Sequence, residues 1–349
     1  MKKAALVVGT RPQFVKTAPL IIELGRFFQM VLIHTGQHYD FRMSEGFFGE
    51  LEIPDPDYHL EAAESGPGRG IGKMIDRLES ILSFERPDKV IVVGDTNSTL
   101  AGALAAVRLR LPLAHVEAGV RAKDTKLPEQ INRVMTDAVA DYLFCPTLSA
   151  VNNLKREGKN DHLYDTGDVI YDCLRLFYDK IPDIPLGVPS LPEKFILATI
   201  HRAEAVDNRE NLESVLVSFE STELPIIFPI HPRTRKRIAC FGLEDKILGN
   251  ITLTDPLGYL DILSLIRRSE YVITDSGGIQ REAAYLGKFV ILARPETEWL
   301  ELEENGWLKI AGYSFDLAGG IGAFNHNPDS LKHLTRPASS EIARILNSL

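Results

Sequence analysis

The sequence predicts an α/β protein made of two doubly wound halves, each built on a parallel sheet. Three observations predict it. Short apolar, β-branched runs alternate with longer helical patterns from end to end; that alternation indicates βαβ units whose strands are covered on both faces. There are more such runs than one sheet usually holds, and 349 residues, at roughly 150 per domain, suggest two domains. Nearly every run also leads into a polar or glycine-rich cluster.

The runs of the first half are Ala4–Val8, Met30–His34, Val90–Val93, Leu113–Val116 and Tyr142–Cys145. Those of the second are Lys194–Ile200, Pro225–Ile230, Ile251–Leu253, Tyr271–Thr274 and Phe289–Leu292. Between them Tyr171–Phe177 reads as a connecting helix, so the boundary is placed near Gly167. The proline-rich stretch Pro182–Pro192 is either a linker or the first loop of the second half. At the end Ile342, Ile345, Leu346 and Leu349 have helical spacing.

Composition removes several function classes. There are 39 Lys+Arg against 48 Asp+Glu, a formal charge of −9 that argues against nucleic acid as the main partner. No uninterrupted apolar run approaches the ~18 residues of a membrane span. The segment from Met1 to Gly9 reads as a first strand, not a signal peptide. Cys145, Cys173 and Cys240 are widely spaced without a CxxC, which disfavours a disulfide framework or a structural zinc. A soluble cytoplasmic protein is expected.

The unusual residues cluster where strands end. The first half offers Gly9-Thr10-Arg11-Pro12, His34-Thr35-Gly36-Gln37-His38, Gly94-Asp95-Thr96 and Glu117-Ala118-Gly119; the second offers His201-Arg202-Ala203-Glu204, His231-Pro232-Arg233 and Asp275-Ser276-Gly277-Gly278. Open α/β sheets bind ligands outside the carboxyl ends of their strands. Two such edges facing each other would make one cleft. Gly9–Phe14 is not G-x-G-x-x-G, and there is no Walker A sequence, so dinucleotide binding is a weak reading. The Asp275–Glu282 segment is stronger: Ser276, Gly277 and Gly278 would aim backbone N–H groups at a phosphate, and Glu282 could accept both hydroxyls of a ribose. The plainer alternative is a helix capped by Asp275 or Ser276.

Six motifs occur in register: Gly9-Thr10-Arg11-Pro12, Gly94-Asp95-Thr96, His115–Arg121, Pro128-Glu129-x-x-Asn132-Arg133, His201-Arg202-x-Glu204 and Asp275–Glu282. Together they resemble the non-hydrolysing UDP-N-acetylglucosamine 2-epimerases over essentially the whole chain. The resemblance implies a GT-B-like fold of two Rossmann-type domains with an interdomain cleft. Residues 1–167 plus a returning helix at about 335–349 would carry catalytic carboxylates, and residues 168–334 would bind UDP. It implies interconversion of UDP-GlcNAc and UDP-ManNAc with no cofactor and no metal, a homodimer, and a use in surface polysaccharide or glycoprotein glycan synthesis.

Such enzymes are expected to eliminate UDP to a 2-acetamidoglucal and add it back after protonation on the opposite face. That requires proton-transfer groups at carbon 2 and positive charge on the departing diphosphate. Asp95, Glu117 and Glu129 match the family's catalytic carboxylates, and His201 joins them. Arg11 and His201 match residues touching the diphosphate, with Lys16, Arg133, His231, Ser276, Gly277, Gly278 and Glu282 completing the substrate set. Asp95 as a helix cap and Arg133 in a surface ion pair are the structural alternatives, and His115 reads as a satisfied core histidine. Gln13 and Gln130 stand where acids are common in the family. Gln37-His38-Tyr39-Asp40 and His201-Arg202-Ala203-Glu204 depart from patterns tied to activation by UDP-GlcNAc, so UDP-ManNAc alone should turn over without a lag. A UDP-2,3-diacetamido sugar acid 2-epimerase, a hydrolysing epimerase, a GT-B glycosyltransferase and a nucleotide-sugar sensor are the competing functions.

Overall fold

A computed structural model describes residues 1–37, 49–62, 66–188, 190–247, 249–317 and 326–349. The chain divides into two compact units, residues 1–176 with 333–349, and residues 177–332.

In the first unit the elements run β1 (Lys2–Val8), α1 (Arg11–Leu24), β2 (Phe28–His34), β3 (Tyr58–His59), α2 (Pro67–Glu85), β4 (Lys89–Val93) and α3 (Asn97–Arg108). They continue with β5 (Leu113–Val116), α4 (Pro128–Val139), β6 (Tyr142–Cys145), α5 (Leu148–Arg156), β7 (Leu163–Asp165) and α6 (Val169–Phe177). The sheet order is β3-β2-β1-β4-β5-β6-β7, and every pairing is parallel. Successive side chains of a strand point to opposite faces. Ala4 through Val8 are all fully buried, so both faces of β1 are covered. Helix α2 packs on α3 and α3 on α4.

The second unit follows with β8 (Ile196–Thr199), α7 (Ala203–Val206), α8 (Arg209–Phe219), β9 (Ile226–Pro229), α9 (Pro232–Phe241), β10 (Ile251–Thr254) and α10 (Tyr259–Arg268). Then come β11 (Tyr271–Thr274), α11 (Ile279–Tyr285), β12 (Val290–Leu292), α12 (Leu300–Glu304) and β13 (Leu308–Ile310). Its sheet is also wholly parallel, in the order β10-β9-β8-β11-β12-β13. Phe219 and Phe228 meet edge to face in its core at 6.0 Å. The chain then returns to the first unit as α13 (Ala338–Ser348), which packs on α1. Asp172 of α6 accepts a hydrogen bond from the Ser339 backbone N–H (2.6 Å), satisfying one of the donors left open in its first turn.

All ten apolar runs lie on strands. Three further strands, β3, β7 and β13, carried no such run. Each is a sheet edge and at most three residues long, and residues 58–59 and 163–165 are half-buried or exposed. An edge strand of that length has too little two-sided burial to leave an apolar signature. Pro182–Pro192 opens the second unit: Asp261 accepts from the Leu186 N–H (2.8 Å), and Arg267 reaches the Asp183 carboxylate (2.9 Å). The expected boundary near Gly167 and the observed division after Leu176 lie on either side of most of α6. Among the described residues no helix is long and apolar enough to cross a membrane.

Candidate active site

Ligand sites in doubly wound sheets fall where the strand order reverses. In the first unit that point lies between β1 and β4, followed by Gly9-Thr10 and Gly94-Asp95. A Cβ on Gly9 would meet Ser98 Oγ at 2.0 Å and Thr35 Oγ1 at 2.1 Å, so the loops after β1, β2 and β4 close on a position with no room for a side chain. Gln13 is buried beneath them. Its Oε1 accepts from the Gly9 N–H (2.8 Å), and its Nε2 donates to Val93 O (2.9 Å) and Thr99 Oγ1 (3.1 Å). Both ends of that amide are used, which a carboxylate could not reproduce. Arg11 opens α1, and its side chain lies outside the described part of the structure.

Two carboxylates follow strands of this sheet, each beside a cation. Lys16 Nζ donates to Glu117 Oε1 at 2.7 Å, with both side chains almost fully buried. Arg133 pairs with Asp95. A Cβ on Gly94 would lie 3.0 Å from Lys16 Nζ and 3.7 Å from Glu117 Oε1, which draws the Asp95 and Glu117 loops to one place. Glu117 has φ +72°, a left-handed conformation costing a non-glycine residue about 1–3 kcal/mol and found most often at functional sites. Its N–H and that of Ala118 both donate to Phe144 O at 3.0 Å, which helps to hold it there. Asp95 does not cap α3: Thr96 does, accepting from the Thr99 N–H.

Helix α4 is turned inside out. Gln130, Asn132, Arg133, Thr136 and Asp137 are buried, while Ile131, Val134 and Met135 are exposed. The Arg133 pair is therefore not a surface ion pair. Asn132 donates to Asp95 O (3.0 Å), and Gln130 accepts from the Ala122 N–H (2.8 Å). Glu129 is half-buried in the first turn. His115 is a fully buried residue bonded at both nitrogens, to Asp137 (2.6 Å) and Gly94 O (2.8 Å).

Burial pushes the Asp137 carboxyl up, but the charge and hydrogen bond of His115, with those of Arg121, outweigh it and hold it below its ordinary value of 3.8. A carboxylate lowered on folding contributes stability above its unfolded value and loses that contribution as pH falls through the folded one. The urea midpoint should therefore decline below about pH 4, and Asp137→Asn should flatten that acid limb. An unchanged acid limb in the variant would remove Asp137 from the cause.

In the second unit the order reverses between β8 and β11. Asp275, fully buried after β11, accepts from the backbone N–H groups of His201 (2.8 Å) and Arg202 (2.7 Å), which follow β8. The His201 ring lies over the same carboxylate, Nδ1 to Oδ1 at 3.3 Å. Asp275 thus braces the histidine turn and does not cap the next helix; Gly278 occupies the cap position, with Ser276 Oγ accepting from the Ile279 N–H (3.4 Å). Gly277 and Gly278 are half-buried, and Glu282 is buried on α11. His231 caps α9, its Nδ1 accepting from the Arg233 N–H (3.1 Å), and its ring centre is 5.9 Å from that of His201. Asp137 is a positioning group that lies in none of the motifs, and the bonds made by Gln13, His115 and Asp275 are not legible from them, since nothing local shows which of two adjacent polar residues faces inward. No group of three or more His, Cys, Asp and Glu residues is placed to hold a metal ion among the described residues.

Wholly parallel sheets in both units, with carboxylates at one reversal point and a histidine and glycine-rich turn at the other, define a GT-B-like enzyme of nucleotide-sugar chemistry. A family model described as UDP-N-acetylglucosamine 2-epimerase matches residues 22–317, and the chain belongs to that family of isomerases. It is 43% identical over 356 residues to a UDP-N-acetylglucosamine 2-epimerase homolog of Methanococcus maripaludis, covering 99% of this chain and 100% of the relative. It is 42% identical to the UDP-2,3-diacetamido-2,3-dideoxy-D-glucuronate 2-epimerase of Pseudomonas aeruginosa, covering 90% of each. The crystal structure of Methanocaldococcus jannaschii UDP-GlcNAc 2-epimerase in complex with UDP-GlcNAc and UDP is similar with a TM-score of 0.85 and 37% identity, over 100% of both chains.

Proposed function

We propose that the protein interconverts UDP-GlcNAc and UDP-ManNAc without hydrolysis and without an added cofactor. The observation that carries this reading is the pair of acids following β4 and β5, Asp95 against Arg133 and Glu117 against Lys16. A base removes the carbon-2 proton while the bond from carbon 1 to the diphosphate oxygen breaks, giving a 2-acetamidoglucal and UDP. A proton then adds to the opposite face of carbon 2, and the diphosphate oxygen re-forms the bond to carbon 1. Asp95, Glu117 and Glu129 share the proton transfers, aided by His201. Transfer on opposite faces needs one group to take the proton and another to give one back, which more than one carboxyl can supply. Ser276, Gly277, Gly278, Glu282 and His231 hold the UDP, with Arg11, Lys16 and Arg133 supplying positive charge.

Incubation with UDP-GlcNAc in deuterated water tests this by NMR. Deuterium at carbon 2 of a UDP-linked manno product is expected, whereas free ManNAc plus UDP would favour hydrolysis and no exchange would favour a sensor. The likeness to the Pseudomonas enzyme supports a second reading, a UDP-2,3-diacetamido sugar acid as substrate; turnover of that compound alone would replace the first. UDP-ManNAc should react without a lag, and a requirement for trace UDP-GlcNAc would overturn that. Gln37 is held by Ser98, whose N–H and Oγ donate to its Oε1 (2.9 and 2.7 Å), while His38, Tyr39 and Asp40 lie outside the described residues.

A cytoplasmic homodimer is part of the same proposal. The apolar face of α4, with Ile131 and Met135 each more than two-fifths exposed, supports a second copy as the partner. Replacing both residues by Glu should convert a dimer to a monomer in analytical ultracentrifugation. A monomer before substitution would refute the assembly.

A further inference from the structure

The surroundings of His115 contain more than a satisfied core histidine requires. Its Nε2 faces Gly94 O at 2.8 Å, and a carbonyl can only accept, so Nε2 carries a hydrogen. Its Nδ1 faces Asp137 Oδ1 at 2.6 Å. The other Asp137 oxygen accepts from the Gly119 N–H (3.0 Å) and from Arg121 (2.7 Å), the donor environment of an ionised carboxylate. With acceptors at both nitrogens, the ring satisfies both only as a cation. Arg121 continues outward to Glu157 through two further hydrogen bonds (2.8 and 2.7 Å).

The bonds converge on the two acid-bearing loops. Gly94, whose carbonyl the ring holds, precedes Asp95; Gly119, whose N–H Asp137 holds, lies two residues beyond Glu117. Asp137 is one helical turn past Arg133, which grips the Asp95 carboxylate, and Asn132 holds the Asp95 carbonyl. We propose that His115 is kept as a buried imidazolium by Asp137, and that this pair is the positioning device fixing Asp95 and Glu117 relative to one another. The catalytic part of this inference rests on the epimerase reading above; the charged pair itself does not. His115 and Asp137 touch no substrate. They act through the two loops, and a displacement of about 1 Å there can cost on the order of 100-fold in rate.

The test has a spectroscopic and a kinetic arm, both on the full chain. With ¹⁵N-labelled histidine at pH 7.5, the His115 ring, assigned by its loss in His115→Gln, should show N–H signals at both nitrogens. A neutral ring with one N–H would overturn the proposal; where His115→Gln fails to fold, through-space contacts from the ring N–H protons to Gly94 assign the signal in the unaltered protein, so this arm still decides. Asp137→Asn should lower kcat about 10- to 100-fold while KM for UDP-GlcNAc stays within about threefold, the pattern of misplaced groups and not of lost binding. Unchanged kcat would overturn the positioning role. Failure of the unaltered protein to convert UDP-GlcNAc would instead count against the epimerase reading, with the NMR arm still deciding the ion pair.

Discussion

Glu117→Gln is expected to slow the exchange of the carbon-2 proton with solvent by about 10²- to 10⁴-fold, the range associated with removing one positioned acid–base group. The substitution keeps an oxygen that can accept from Lys16 and removes the charge. Lys16 and Glu117 are 2.7 Å apart, with side-chain exposures of 8% and 3%, so the variant leaves an ammonium without its counter-ion in the interior. Breaking a buried pair from one side costs about 3–5 kcal/mol, which predicts a lower urea midpoint as well as a lower rate. Stability and chemistry can be separated. Lys16→Met combined with Glu117→Gln removes both charges and should recover much of the midpoint while remaining inactive. NMR of carbon-2 exchange and urea titration give the two readouts, with UDP affinity as the control for binding. Exchange at the wild-type rate in Glu117→Gln would take this residue out of the chemistry.

Gly119→Ala should destabilise the protein without altering any candidate acid. At φ +78° Gly119 occupies the left-handed region, which costs an L side chain roughly 1–2 kcal/mol. An added Cβ would also lie 2.3 Å from the Ala150 carbonyl oxygen. That atom belongs to α5, so relief requires moving a helix. Overpacking of this kind typically adds about 1–3 kcal/mol, for a combined loss of about 2–5 kcal/mol. Gly119 also donates to Asp137 and accepts from Asn153 Nδ2 (2.9 Å), so a shift would propagate towards Glu117. Thermal denaturation compares the variant with wild type; an unchanged Tm would show that the loop yields more readily than its contacts indicate. Gly158→Ala is the control: its φ is +84°, but nothing lies within 4 Å of an added Cβ, so it should carry the conformational cost alone.

The strands with two covered faces were legible because sustained apolar runs such as Val90–Val93 record burial on both sides. Asp95, Glu117 and His201 were legible as polar residues immediately beyond such runs. Arg133 was named through its motif, but its burial was not legible, because α4 buries its polar face and exposes Ile131, Val134 and Met135, the reverse of what a hydrophobic stripe ordinarily means. Asp275 was legible as part of a glycine-rich turn, but its contact with the N–H groups of His201 and Arg202 was not. That contact depends on β8 and β11 being neighbours.

The amino-acid order alone determined that this is a parallel α/β chain of the UDP-N-acetylglucosamine 2-epimerase family, with polar clusters where its strands end. Periodicity and turn chemistry act over a few residues, so they survive in a one-dimensional reading. Tertiary structure decided which charges meet. Lys16 finds Glu117 across 101 positions, and His115 joins Gly94 to Asp137, because the strand order brings those segments side by side and burial then makes an unpaired charge too costly.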